Sequence, residues 1–513
     1  MNKRDYQSFF IGKKITIMGL GLLGRGIGVT KFLADCGADL IVTDLKTAEQ
    51  LASSITKLKN LKTFKLINWH LGKHRLEDFR HRDLIIKAAG VPLDSLFIAE
   101  ARKNKIPVEM DASLFAKLAM PLGVKIIGIT GTRGKSTVTH LLAEILKSNY
   151  ELDLNRVSKR HSVGRKILPT LDQKVGHGKI FLGGNVRGLA TLPLIQKVKT
   201  GDLVVMELDS WQLQGFGDSQ ISPNLSVFTN LMVDHQNYYG SATLTTNANP
   251  MDLYFSDKAN IYRWQKAGDI IIAGREIAKK LKITRQNFAQ QNLSRQESKL
   301  QSISAKDFPT NWKTKLIGEH NRFNVALAIA AARALGIKDS VLKKVVANFT
   351  GVPGRLEFIR EIKGIKYYND TTATTPDGVM AALNSFPKYS GRIILIGGGK
   401  DKELDYKKYV GVVKKTVKAL ILFRGTATDK ILQKLKVHPV ESEGSLFYRV
   451  KNLNFPVLVV GSMKEAMKQA QNQAQTGDLV LLSPGAASFG PPPGGFKNEF
   501  DRGDQFVKLV LKL

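Results

Sequence analysis

Ten residues of this chain, Gly128-Ile129-Thr130-Gly131-Thr132-Arg133-Gly134-Lys135-Ser136-Thr137, combine the types needed to hold a polyphosphate. Glycines let the backbone turn tightly enough for successive N–H groups to face a phosphate, and a helix starting at the turn adds the positive end of its dipole. Lys135 is placed to reach terminal phosphates, and the Ser136 hydroxyl to bind Mg²⁺. Glu207 ends the apolar run at 203–206, on the side where open α/β sheets bind ligands, and is placed to hold Mg²⁺ opposite the turn. The general pattern has a glycine five residues before Gly134, where this chain has Ile129. Nucleotide triphosphate binding is the reading; a plain strand-to-helix loop is its competitor.

A second glycine turn, Gly19-Leu20-Gly21-Leu22-Leu23-Gly24, follows the apolar residues 15–18 and precedes a strand ending at Asp44. It admits a pyrophosphate at a helix start, with the carboxylate suited to a ribose hydroxyl, so NAD, another nucleotide or merely a tight turn all fit. Three further strands end in Asn369-Asp370-Thr371-Thr372-Ala373-Thr374, Gly397-Gly398-Gly399-Lys400 and Ser483-Pro484-Gly485-Ala486-Ala487-Ser488. Hydroxyls, a carboxylate and a lysine at strand ends form an anion site wherever they converge.

The elements that must carry these groups alternate strand and helix, which predicts an α/β protein with three domains. Their expected bounds are 1–112 (Rossmann-like), 113–350 (central, phosphate-binding) and 351–513 (a second Rossmann-like domain), with Gly351-Val352-Pro353-Gly354 as hinge. Residues 150–179 are polar, basic and poorly periodic and read as a loop or irregular insertion, 241–250 as a mobile loop, and 286–307 as a surface excursion. A helix is expected over 254–264, carrying Lys258, and another from Gly318 to Leu335, with Asn321 and Asn324 on one face. Asp234-His235 is a weak signal alone.

At 513 residues the chain can bury several cores. The single cysteine, Cys36, excludes an internal disulfide and fits a reducing cytosol. No signal-peptide segment and no run long enough to span a bilayer is seen, so a soluble, cytoplasmic protein is expected. The formal charge of +33 is spread along the chain without a basic tail, which favours a solvated surface and steering of anionic substrates over nucleic-acid binding.

Taken together, Thr130 to Thr137, Glu207-Leu208-Asp209-Ser210-Trp211-Gln212-Leu213, Asp234-His235, His320-Asn321 with Asn324, Gly354-Arg355 with Glu357, Asn369-Asp370 and Ser483-Pro484 resemble the Mur ligases. These are ATP-dependent amino-acid ligases of peptidoglycan precursor synthesis, and the similarity is collinear from about Lys14 to Leu513. Within the family the chain is most similar to the members that add D-glutamate to UDP-N-acetylmuramoyl-L-alanine: the first domain is short with Gly19-Leu20-Gly21-Leu22, the run from Ser483-Pro484 to Ala487-Ser488 and Phe496-Lys497-Asn498 with Arg502-Gly503 are present, and the Asp-Asn-Pro-Arg signature of the diaminopimelate or lysine ligases is absent.

The resemblance implies that Leu22, Leu23, Asp44 and Lys46 hold uridine diphosphate, so that the first turn binds UDP and not NAD. Gly131, Thr132, Gly134, Lys135, Ser136 and Thr137 would hold the ATP phosphates, with Ser136 and Glu207 on a first Mg²⁺. Asn185, Ser210 and Gln212 would line the muramoyl-alanine site. His235 and Lys258, the lysine as its carbamate, would position a second Mg²⁺. Asn321 and Asn324 would meet adenine, Arg355 and Asp370 the nucleotide, and Thr374, Lys400 and Ser488 the incoming glutamate. Lys135, His235, Lys258 and Arg355 would be the catalytic set. Small-molecule substrates, a monomer, no nucleic acid and no membrane insertion are implied.

Four departures from the family pattern stand out. Thr372 replaces a lysine, Asp209 a serine and Arg133 an asparagine, and Pro491 to Pro493 lengthen a loop. Thr374-Thr375-Pro376 also occurs in related enzymes that add L-glutamate, which keeps that amino acid as the alternative. A basic nucleic-acid-binding ATPase and a nucleotide-dependent dehydrogenase each explain only one of the two glycine turns.

Overall fold

The computed structural model describes residues 5–61, 64–92, 94–161, 178–235, 238–240, 249–289, 298–436, 446–448, 453–488 and 495–513. Three β-sheets organise them. The first is wholly parallel, in the order β3-β2-β1-β4-β5, from β1 (Lys14–Met18), β2 (Asp39–Asp44), β3 (Asn68–Leu71), β4 (Leu84–Lys87) and β5 (Val108–Glu109). The second is also parallel, ordered β11-β10-β9-β6-β8-β7. It comprises β6 (Lys125–Thr130), β7 (Ile180–Gly184), β8 (Leu203–Glu207), β9 (Leu225–Phe228), β10 (Ile270–Gly274) and β11 (Lys299–Ile303).

The third sheet follows the order β12-β13-β18-β14-β15-β17-β16. Its strands are β12 (Glu357–Ile362), β13 (Ile365–Asn369), β14 (Ile393–Gly398), β15 (Val417–Phe423), β16 (Leu446–Tyr448), β17 (Val457–Val460) and β18 (Leu479–Leu482). Only the two edge strands, β12 and β16, run antiparallel to their neighbours. Central strands such as β6, β14 and β18 are continuous apolar runs because helices cover both faces of a parallel sheet, leaving no solvent side for alternation to mark.

Residues 1–312 with 323–346 form one compact unit, and 313–322 with 347–513 a second. The first unit contains the first two sheets. At the expected domain edge near 112, Asp111 opens the helix Asp111–Ala119 and accepts from the backbone N–H groups of Thr191 and Leu192, at 2.8 and 2.7 Å. Gly28, in the helix Arg25–Asp35, faces Ala190 so closely that a Cβ there would lie 2.5 Å from the alanine methyl. The layers of the first and second sheets therefore share one core.

Several expectations are corrected. The helix after the phosphate turn runs Lys135–His161, so residues 150–161 are helical and not loop, while 162–177 lie outside the described residues. The helix carrying Lys258 is Pro250–Ala259 and ends before 264; of the expected mobile loop, 241–248 lie outside the described residues. Within 286–307, the helix Arg275–Ala289 ends and β11 pairs with β10, so part of the presumed excursion is sheet. Pro491 to Pro493 fall outside the described residues. Among the described residues, no helix is long and apolar enough to cross a membrane.

Candidate active site

The phosphate turn joins β6 to the helix Lys135–His161. Gly131 (φ 141°) and Gly134 (φ 85°) take conformations that side chains rarely adopt, and a Cβ at either would collide with a neighbour. At Gly131 that neighbour is the Thr229 hydroxyl and at Gly134 the Asn324 side-chain oxygen, 1.9 and 2.2 Å from the Cβ position. Lys135 Nζ donates to the carbonyls of Gly131 and Thr132 at 3.0 and 3.1 Å, so its ammonium lies on the turn itself. Ser136 Oγ donates to Glu207 Oε2 at 2.5 Å, both residues being buried. Hydroxyl and carboxylate oxygens in contact at the end of adjacent strands are the hard donor set that Mg²⁺ takes.

The turn is also held from β9. The Asn230 carbonyl and side-chain oxygens accept from the N–H groups of Thr132 and Arg133, at 3.0 and 2.9 Å, and Arg133 makes an ion pair with Asp234 at 2.9 Å. Next to Asp234, His235 has φ 54° and packs its ring 4.8 Å from Trp211 and 5.8 Å from Tyr254. Lys258, fully buried, donates to Gly131 O at 2.9 Å and lies over the Tyr254 ring. Burial first, and the charge of Lys135 second, hold its pKa well below the usual lysine range. The neutral amine so favoured is the form able to add CO2. Thus Lys135, Ser136 and Lys258 meet at one turn, Glu207 joins it through Ser136, and His235 lies against Tyr254, whose hydroxyl is 3.3 Å from that of Thr132. Among the described residues no three His, Cys, Asp or Glu side chains gather as a metal cluster.

Beside them begins the helix Ser210–Asp218, capped by Asp209, which accepts from Gln212 N at 2.8 Å. Ser210 and Gln212 are buried, and Gln212 Nε2 has no hydrogen-bond partner among the described residues. A buried donor without a partner costs roughly 1–3 kcal/mol, which fits a group reserved for a ligand. Asn185, after β7, accepts from Arg25 at 2.7 Å, which links it to the helix that follows the first glycine turn.

In that first turn Asp44 does not present a free carboxylate. Its oxygens accept from Gly21 N and Lys46 N, at 3.0 and 2.9 Å, and so brace the turn. Leu22 and Leu23 are exposed above it, apolar surface suited to a planar ring.

In the second unit, Asp370 is buried and accepts from Ser483 Oγ at 2.8 Å and Leu356 N at 3.1 Å. Desolvation raises its pKa to about 7 against the opposing effects of Ser483 and Arg355. Thr374 receives a hydrogen bond from Lys402 Nζ at 3.0 Å. Lys400 has an exposed side chain, and its backbone pairs with Ala487 as an isolated antiparallel bridge, which draws Ser488 toward the end of β14. Asn321 donates to Ile317 O at 2.8 Å.

Three stretches of the chain match known protein families. Residues 13–109 match the family described as Mur ligase MurD-like, N-terminal domain; 129–332 the Mur ligase middle domain; and 354–485 the Mur ligase glutamate ligase domain. UDP-N-acetylmuramoylalanine--D-glutamate ligase of Roseiflexus sp. is 31% identical, covering 97% of this chain and 98% of its own length. The chain belongs to the Mur ligase family. The Borreliella afzelii protein of the same name is 32% identical over 96% of both chains. Among solved structures, UDP-N-acetylmuramate-alanine ligase MurC of Thermotoga maritima superposes with a TM-score of 0.54 at 19% identity, covering 98% of this chain and 99% of that one, a likeness of fold.

Against the Mur ligase pattern, the departures now have surroundings. Thr372, in place of the lysine, donates to Gly354 O at 2.9 Å and so ties the β13 turn to the hinge. Asp209, in place of serine, is a helix cap, and Arg133 is the partner of Asp234. Two residues beside the site have no signal of their own in the sequence, and a third, Arg502, is marked there only by the family likeness. Lys402 lies two residues beyond Lys400, the lysine that the strand end singles out. Asn230, which grips the phosphate turn, had no signal beyond its place after β9. Arg502, fully buried, donates to Thr371 O at 2.9 Å and holds the Asn369 to Thr374 turn from the last helix, its pKa pulled down to about 10 by burial.

Proposed function

We propose that this Mur ligase joins D-glutamate to UDP-N-acetylmuramoyl-L-alanine at the expense of ATP, in the cytoplasm, as a step of peptidoglycan precursor synthesis. The observation that carries this reading is the contact of Ser136 with Glu207 beside Lys135, in a chain collinear with D-glutamate ligases over nearly its whole length. The first glycine turn binds the UDP group, with Leu22 and Leu23 against it and Lys46 beside it. Asn185, Ser210 and Gln212 hold the muramoyl-alanine.

The alanine carboxylate oxygen attacks the γ-phosphorus of ATP in line, forming an acyl phosphate and releasing ADP. Lys135 and the turn N–H groups offset the charge brought together, and Arg355 and Asp370 act on the nucleotide. Mg²⁺ held by Ser136 and Glu207, and a second ion at His235 and a carbamate of Lys258, would supply charge neutralisation on the transferring phosphoryl group. The glutamate amine then attacks the acyl carbon, the amide bond forms, phosphate leaves with the broken C–O bond, and the amine loses a proton. Thr374, Lys402 and Ser488 bind the glutamate carboxylates, with Lys400 at the rim. Asn324 meets the nucleotide beside Gly134, and Asn321 lies one helical turn away on the adenine side.

Lys258→Ala tests the lysine's role: activity should fall and be partly restored by a short-chain carboxylic acid. An inactive variant with an intact fold and no restoration would contradict the carbamate.

A further inference from the structure

The site just described uses one side of the helix Ser210–Asp218. Gln214 lies two residues beyond Gln212, about 200° round the helix, and belongs to a separate polar cluster. Lys87, the last residue of β4 and only 7% exposed, donates to Gln214 Oε1 at 2.8 Å. The Gln214 amide donates onward to Asp257 Oδ2 at 2.8 Å and to the Tyr238 hydroxyl at 3.2 Å. Tyr238 donates to Val91 O at 2.9 Å, and Tyr239 donates to Asp257 Oδ2 at 2.8 Å. A cavity of about 250 Å³ lies against Lys87, Gln214 and Asp257.

Each end of this cluster touches something the reaction needs. Residues 88–91 are tied at both ends, through Lys87 and Val91, and they pack on the first glycine turn: Ala88 N donates to Met18 O, and a Cβ at Gly19 would lie 2.7 Å from the Ala88 methyl. At the other end, Asp257 immediately precedes Lys258 on the helix Pro250–Ala259. Donors from two other elements meet at one Asp257 oxygen, so this helix cannot turn about its axis without breaking both bonds. Neighbouring helical residues point about 100° apart, so fixing Asp257 fixes the direction in which Lys258 leaves toward Gly131 O. A buried ammonium with a single amide acceptor is a costly way to fill space, which argues that the cluster is kept for geometry more than for stability.

We propose that Lys87, Gln214 and Asp257 are positioning residues, whose hydrogen-bonded chain holds Lys258 on the phosphate turn in register with the turn that takes the UDP group. The acceptor and the lysine are then placed by one structural connection. This rests on the role given to Lys258 above.

The test compares steady-state rates over a bicarbonate series, with ATP, Mg²⁺, UDP-N-acetylmuramoyl-L-alanine and D-glutamate. Asp257→Leu, which has similar size and no acceptor, should lower kcat about tenfold and raise the bicarbonate needed for half-maximal rate, while Asp257→Asn, which keeps an acceptor oxygen, recovers most of both. Lys87→Met should raise the KM for the UDP-sugar about threefold. Gln214→Met, breaking the chain at its middle, gives the same two effects should Asp257→Leu fail to fold. Wild-type kcat, KM and bicarbonate dependence in Gln214→Met and Lys87→Met, with only a lower melting temperature, would overturn the proposal. Full activity of Lys258→Ala would instead remove the role of the lysine, whereas loss of activity there beside an unaffected Gln214→Met removes the positioning chain alone.

Discussion

The chain contains two strand, glycine-turn, helix units in succession, one after β1 and one after β6, and they differ in what surrounds the glycines. After β6 the turn is surrounded by groups that meet charge: Lys135 on its carbonyls, Ser136 on Glu207, Lys258 buried against Gly131. After β1 the carboxylate on the turn, Asp44, accepts from two backbone N–H groups, and Leu22 and Leu23 are exposed. On the function proposed above, the same backbone device serves phosphoryl transfer in one case and plain binding in the other. Glycine spacing identifies the device; the side chains brought from other strands decide its use.

The largest expected effect breaks the first of these turns at its cation. Lys135→Ala should lower kcat at least about 10³-fold, measured as ADP release at saturating substrates, because transition-state charge then loses its nearest counter-charge. Glu207→Gln should cost about 10²-fold at low Mg²⁺ and recover in part as Mg²⁺ is raised, since the hydroxyl of Ser136 remains. Recovery that is absent at any Mg²⁺ concentration would mean that Glu207 acts other than through the ion.

A smaller effect sharpens the comparison at a third glycine turn, after β14. Lys402→Met should raise the KM for glutamate about tenfold, and Lys400→Met less than about twofold, because only Lys402 is seated on Thr374. Equal effects of the two would mean that the exposed lysine shares the carboxylate.

The smallest effect per step concerns Asp370. Its carboxyl is held protonated to about pH 7 in the folded unit by burial, whereas the unfolded chain releases that proton near pH 4. Between those values the folded state binds more protons than the unfolded one, so this group makes stability fall as pH rises, by up to about 1.4 kcal/mol per pH unit. Below pH 4 and above pH 7 the contribution is flat. Denaturant melts of Asp370→Asn should lack that slope; an unchanged slope would place the titration elsewhere.

Both glycine turns, β1, β4, β6, β8, β13, β14 and β18 could be read from the sequence because apolar runs ending in glycine or hydroxyl residues leave a distinct pattern. The helix Lys135–His161 could not be followed past 150, where Glu151-Leu152-Asp153-Leu154-Asn155 has no helical stripe. Strand β11, Lys299–Ile303, is a polar edge paired on one side only, so it resembles a surface excursion. Within the site, the groups carried on the phosphate turn were legible, whereas Asn230, which holds that turn from the end of β9, was not. Nor was Lys402, since it lies two residues past a glycine run and only the fold brings it to Thr374; Arg502 belongs to the family likeness, but its bond to Thr371 could be seen only in the fold.

The central claim is that two nucleotide turns serve one ligation. Phosphate release from ATP and Mg²⁺ should be measured with UDP-N-acetylmuramoyl-L-alanine and D-glutamate, L-glutamate or no amino acid. Release that requires both the UDP-sugar and D-glutamate is the predicted result; release without the UDP-sugar, or with L-glutamate alone, would contradict it.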